Sequence, residues 1–371
     1  MKRMAMEGFI LFLVAIVSMG ITKFAMGKEE TSRNVSAMYV LGDSSVDCGA
    51  NTLFYPIFHL NLSLLPCNGS NSILLPYLLA NKMGLPYAQP FYVQNGTIDG
   101  LLSGVNYGAA HATILSASSL GHQSLNHQLR QVFETIQVLQ LQLGHESSRR
   151  FIRSSIFYLS FGKDDYIDLF LRNFSGVMPH YNDHMFADIL VNQMVHAMMN
   201  LYDMNVRKVV VMGILPLGCA PSSFFQWHTG DAIAKATGCV EDINEVVLKY
   251  NVRLEDSIVR LNEELPDAHI VFCDLFQGLK KIISYPHFFG FEDAKNACCG
   301  LGLYGAEIGC ITSDMACNPV SSNVWWDLYN PTPQVNSLLA ESTWSGQELL
   351  SNICRPTTIH DLVHTSVPHR Q

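Results

Sequence analysis

The chain has 371 residues, 48% apolar and only 15% charged, with a net charge of −9 at neutral pH. That length and apolar content allow a large core in a single α/β domain. The acidic balance argues against nucleic acid, which needs clustered Lys and Arg, and no basic run offers a handle on an anionic membrane.

At the start, Lys2 and Arg3 precede an apolar stretch from Phe9 to Ile21 and the small residues Ala25-Met26-Gly27, the layout of a secretory signal peptide. Lys23 interrupts the stretch before it reaches the roughly 20 residues of a spanning helix, so no transmembrane anchor is expected. Cleavage near Gly27 makes 1–27 a signal segment and leaves 28–371 as one domain, since no repeat, low-complexity tract or Pro/Ser-rich linker marks a boundary. Short β-branched or aromatic runs then recur: "AMYVLG" at 37–42, "SIFYLSFG" at 155–162, "KVVVMG" at 208–213 and "HIVFCD" at 269–274. Between them, 125–144 and 243–265 carry helical periodicity. Near-continuous apolar strands alternating with helices predict a parallel sheet covered on both faces, a three-layer α/β/α sandwich.

In such sheets, functional residues gather beyond the carboxyl ends of the strands. Three of those ends are polar or glycine-rich: Gly42-Asp43-Ser44, Gly162-Lys163-Asp164-Asp165, and Gly213 followed by "ILPLGC". None carries a phosphate-cradling glycine loop, and no G-x-S-x-G elbow occurs, so no nucleotide or other cofactor is expected. A secreted context makes the ten cysteines disulfide partners. Their clustering (Cys48 with Cys67, Cys219 with Cys239, and Cys298, Cys299, Cys310 and Cys317) suggests that only short loops are stapled, with connectivity open. The adjacent Cys298-Cys299 lacks zinc-knuckle spacing, and His180 and His184 lack the Glu of H-E-x-x-H, so no metal is expected. N-x-S/T sequons at Asn34, Asn61, Asn68, Asn95 and Asn173 fit a secreted glycoprotein.

The blocks "VLGDSSVDCG", "GVNYGAA", "FYLSFGKDDY", "VVVMGILPLGC", "ACCGLG" and "WWDLYNPT" resemble, in order and spacing, those of the plant-type GDSL esterase/lipases, or SGNH hydrolases. The resemblance implies a flavodoxin-like sheet and a secreted serine hydrolase acting on acyl esters or lipid-like small molecules. It places the nucleophile at Ser44 and the triad acid at Asp327; the oxyanion hole falls on Ser44, Ala110, His111 and Asp164. The pattern departs at the base. Where the family has His, three residues after Asp327, this chain has Asn330. An amide has no basic nitrogen and cannot take the serine proton. The oxyanion Asn is replaced by Asp164, a carboxylate where a donor is needed, and the usual Gly-Gly pair falls on Ala110-His111. The stretch from Cys48 to Cys67 is shorter than in typical relatives, and Ser70, just beyond it, stands where the family has an Arg. Three readings result: a degenerate hydrolase that acts by binding, an active esterase with a surrogate base such as His111, or a chain with neither role.

Overall fold

The computed structural model describes residues 35–48, 74–94, 96–115, 123–171, 181–227, 238–311, 313–346 and 350–365. The expected signal segment, all five sequon asparagines, Cys67, Ser70 and His180 lie outside the described residues. Val35–Gln371 forms a unit of its own.

Its strands, in chain order, are β1 (Met38–Gly42), β2 (Gln89–Pro90), β3 (Val105–Asn106), β4 (Ile156–Ser160), β5 (Lys208–Met212), β6 (His269–Cys273), β7 (Asp293–Ala297), β8 (Gly300–Leu301), β9 (Ile308–Gly309), β10 (Asn323–Trp325) and β11 (Cys354–Arg355). Seven of them form one sheet in the order β11-β6-β5-β4-β1-β3-β2. Every neighbour in it runs parallel except β11, which pairs antiparallel with β6. The four apolar runs recognised in the sequence are its centre. They are in step: Gly42 lies opposite Ser160, Ser160 opposite Met212, and Met212 opposite Cys273. Their carboxyl ends therefore open on one line, where a crevice can form.

Because every residue of β1, β4 and β5 is buried, both sheet faces must be covered. Alternation sends Tyr39, Leu41, Phe157 and Leu159 into one core and Met38, Val40 and Tyr158 into the other. Besides two short helices, Ile98–Leu102 and Pro221–Trp227, the described helices are α1 (Leu75–Lys82), α2 (Leu125–Leu143), α3 (His145–Ser154), α4 (Asp183–Asp203), α5 (Glu241–Glu264), α6 (Leu275–Ser284), α7 (Pro333–Trp344) and α8 (Ile359–His364). Helices α2, α4 and α5 bury their apolar stripes in the first core, and α1, α6, α7 and α8 in the second. The periodicity of α2 shows why. Leu125, Leu129, Val132, Ile136 and Leu139 recur at helical spacing on the sheet side, each contributing about 1.5–3 kcal/mol on burial. The Ser124 hydroxyl accepts from the His127 N–H to start that helix, and Gly144 ends it.

Disulfides Cys219–Cys239, Cys298–Cys317 and Cys299–Cys310 close loops of 20, 19 and 11 residues, and Cys48 is also disulfide-bonded. The expectation that only short loops are stapled is wrong for Cys273–Cys354, which are 81 residues apart. That bridge joins the paired residues of β6 and β11 and so fixes the antiparallel edge strand. Spacing could not reveal it, because sheet pairing and not chain distance brings the two sulfurs together.

Candidate active site

β1 delivers Ser44. Gly42 ends the strand where the chain passes so close to β4 that an added Cβ would lie 2.5 Å from the Ser160 carbonyl oxygen. From α2, the Gln128 amide clamps this point, donating to the Gly42 carbonyl at 2.8 Å and accepting from its N–H at 2.9 Å. The turn that follows bonds Asp43 Oδ1 to the Ser45 N–H at 2.9 Å, leaving Ser44 at the tip and half-buried.

β4 delivers Lys163 and Asp164 through Gly162, whose φ of +108° lies where side-chain-bearing residues rarely go. Asp164 is buried, and its carboxylate takes both polar groups of Ser44: the hydroxyl donates to Oδ1 at 2.6 Å and the backbone N–H to Oδ2 at 2.9 Å. In an active serine esterase that hydroxyl points to a base and that N–H points at the oxyanion. Here one carboxylate holds both.

The "WWDLYNPT" loop delivers the other two predicted residues. Asp327 Oδ1 accepts from the N–H groups of Tyr329 and Asn330 at 3.0 and 2.8 Å, while Asn330 Nδ2 donates to Asp327 Oδ2 at 2.9 Å. Asp327 thus fixes the orientation of the Asn330 amide. The far side of the amide is filled by a group that sequence reasoning missed: Lys163, buried, donates its ammonium to Asn330 Oδ1 at 2.7 Å. The signal lay in the sequence as a lysine inside a strand-end glycine turn, beside two aspartates.

Three carboxylates and one ammonium meet behind Ser44. Asp43 is fully buried; burial, with the Asp164 charge adding to it, raises its pKa to about 6, opposed by Lys163 and by the Ser45 hydrogen bonds. Asp165 is also pushed up by burial, while the N–H groups of Ile114 and Leu115, at 2.8 and 3.2 Å, pull the other way. Its role is to anchor the loop that follows Ala110 and His111.

Ala110 and His111 start where β1 ends, since the Ala109 N–H reaches the Gly42 carbonyl at 3.2 Å. His111 occupies the left-handed region at φ 60°, the conformation a glycine would tolerate there without strain. Its Nδ1 lies 2.6 Å from Asp168 Oδ2, and the ring is half exposed. His184, described without His180, meets the Arg253 guanidinium through Nδ1 at 2.8 Å.

Ser44, Asp327 and Asn330 open on a common cavity of about 190 Å³. Its apolar lining is mainly leucine, with Leu74 and Leu75 at the start of α1, Leu215 after β5, Leu275 in α6 and Leu339 in α7; Tyr158 and Ser160 come from β4. His111 is not part of that wall. No helix among the described residues is long and apolar enough to cross a membrane.

A mostly parallel sheet between helix layers, with Ser44, Asp327 and Asn330 lining one cavity beyond its strand ends, places the chain among the α/β proteins. The "GDSL-like Lipase/Acylhydrolase" family profile matches residues 38–343, and the chain belongs to that family. GDSL esterase/lipase At1g71250 of Arabidopsis thaliana is 28% identical over 351 residues, 91% of this chain and 92% of the relative. GDSL esterase/lipase At5g08460 and GDSL esterase/lipase 7, from the same plant, are 29% and 28% identical, covering 95% and 88% of this chain and 92% and 91% of their own. Among solved structures, LAE5, an α/β hydrolase enzyme from the metagenome of Lake Arreo, Spain, aligns over 82% of this chain and 91% of its own, at 12% identity and a TM-score of 0.34. So distant a likeness adds nothing to the family match.

Proposed function

We propose that the chain is a secreted GDSL esterase/lipase relative whose ester hydrolysis at Ser44 is lost and whose cavity acts by binding a small acyl or lipid-like molecule. The observation that carries this reading is the closed network at the catalytic positions. Asn330 cannot accept the serine proton, and both of its polar ends are taken, by Lys163 and Asp327. Asp164 occupies both the hydroxyl and the N–H of Ser44. Losing one triad member costs on the order of 10⁶ in turnover, and losing one oxyanion donor a further 10² to 10³. Disulfides in the described residues, together with the likeness to plant GDSL esterase/lipases, support export.

One observation favours a second reading, hydrolysis by Ser44 with His111 as base: the Asp168 contact would orient the imidazole as a triad acid does. Against it, the Ser44 hydroxyl is already committed to Asp164.

A fluorophosphonate probe and a chromogenic acetate separate the two. The binding reading expects no labelling and no turnover above a Ser44→Ala control. Labelling of Ser44 with turnover lost in both Ser44→Ala and His111→Gln establishes the second reading and ends the first.

A further inference from the structure

Most polar side chains on the cavity wall are already engaged. Ser44 is held by Asp164, the Ser45 and Ser160 hydroxyls lie 2.7 Å apart, and Asn330 bridges Lys163 and Asp327. Tyr158 differs. It is 1% exposed, sits in the middle of β4 on the same side as Ser160, and lines the cavity, yet its hydroxyl bonds to no described residue. Among the described residues Tyr166 is another buried tyrosine whose hydroxyl has no partner, but it does not line this cavity. A cavity-facing hydroxyl without a protein partner is a donor that a bound acceptor can take, for a net gain of about 0.5–1.5 kcal/mol.

We propose that Tyr158 is a ligand-recognising residue, and that the cavity takes a small neutral molecule with a compact hydrocarbon body and one oxygen acceptor, which the Tyr158 hydroxyl meets.

The leucine wall suits the hydrocarbon body, and a cavity of about 190 Å³ exceeds the roughly 150 Å³ that accommodates benzene in an engineered protein core. The tyrosine is a donor and stays one, because burial, with the Asp43 charge behind it, raises its pKa and keeps the proton in place. The ester group itself is dispensable: the groups that would read an ester carbonyl, Ser44 N–H and the residue at position 164, are bonded to each other. The inference rests on reading the cavity as a binding site.

Cyclohexanone and methylenecyclohexane test it, because they share shape and differ in one acceptor. Dissociation constants for both are measured by NMR titration on the native chain, Tyr158→Phe and Tyr285→Phe, the last an exposed tyrosine outside the cavity. Loss of one neutral hydrogen bond should raise the cyclohexanone Kd about fivefold to tenfold in Tyr158→Phe and move the hydrocarbon Kd less than twofold. Tyr285→Phe should leave both unchanged. Equal shifts for the two probes, no shift, an equal effect of Tyr285→Phe, or failure of either probe to saturate would each overturn the proposal. Should Tyr158→Phe not fold, native protein carrying ¹³Cζ-tyrosine serves: cyclohexanone should move the Tyr158 signal and methylenecyclohexane should not, and an unmoved signal overturns the proposal. Neither probe is an ester, so native hydrolysis of a chromogenic acetate would end the binding-only reading without deciding this one.

Discussion

Restoring a base at position 330 is the most demanding test of the site. Asn330→His supplies an imidazole next to an acid, Asp327, that already holds the position at 2.9 Å. The missing base accounts for on the order of 10⁶ in turnover, about 8 kcal/mol. The single variant should nevertheless gain less than tenfold, because the Asp164 carboxylate keeps the Ser44 hydroxyl at 2.6 Å and its N–H at 2.9 Å. Adding Asp164→Asn removes that competitor and returns an oxyanion donor, a change of about 3–4 kcal/mol. The pair should raise kcat/KM for p-nitrophenyl acetate at pH 8 by about 10² to 10³ over the native chain. Lys163 limits the gain. Its ammonium, 2.7 Å from the Asn330 oxygen, competes with Ser44 for the new imidazole lone pair. At about 4 Å and an effective dielectric constant near 20 it disfavours the imidazolium by roughly 4 kcal/mol. Lys163→Ala in the double variant should therefore add at least about another tenfold. Two results refute this reasoning in folded protein: a single Asn330→His as active as the double, or a triple variant indistinguishable from the native chain.

Three further outcomes concern stability. The raised Asp43 pKa, about 6 in the folded chain, means that its stabilisation is full below about pH 4 and lost as pH rises through 6. Asp43→Asn should gain on the native chain by up to about 3 kcal/mol between pH 4 and pH 7.5 in urea unfolding; a pH-independent difference contradicts the assignment. Lys163→Met should lower stability by about 1–3 kcal/mol at pH 7 and by less at pH 4, because it leaves the Asn330 oxygen unpaired and strips a counter-charge from Asp43. An equal loss at both pH values would separate Lys163 from that charge cluster. Replacing Cys273 and Cys354 by Ala should cost about 4–5 kcal/mol by chain entropy, read as a shifted urea midpoint, whereas the 11-residue Cys299–Cys310 loop should cost less. The reverse order would show that native-state geometry, not loop closure, sets the contribution.

The centre of the fold was legible because buried parallel strands must be apolar throughout. The runs at 37–42, 155–162, 208–213 and 269–274 became β1, β4, β5 and β6, and the stretches at 125–144 and 243–265 became α2 and α5. The short strands were not legible. β11 is two residues long, and a disulfide and two register positions define it, none of them visible as periodicity. At the site, Ser44, Asp327 and Asn330 stand out because their blocks keep order and spacing, and the three line one cavity. Lys163 read only as a charge beside Asp164, since its contact with Asn330 crosses 167 residues. Tyr158 read as core, which by burial it is; only the cavity beside it sets it apart.

The neighbouring Cys298 and Cys299 are bonded to Cys317 and Cys310, and their backbone N–H groups donate to the carbonyls of Trp325 and Trp326 at 2.9 and 2.7 Å. The rim carrying Asp327 and Asn330 is thereby braced by two disulfides as well as by the pairing of β7 with β10. Chains made where thiols stay reduced would keep the buried parallel strands yet leave that rim, and edge strand β11, without their covalent struts, so cavity occupancy should report how the chain was oxidised as well as what it was offered.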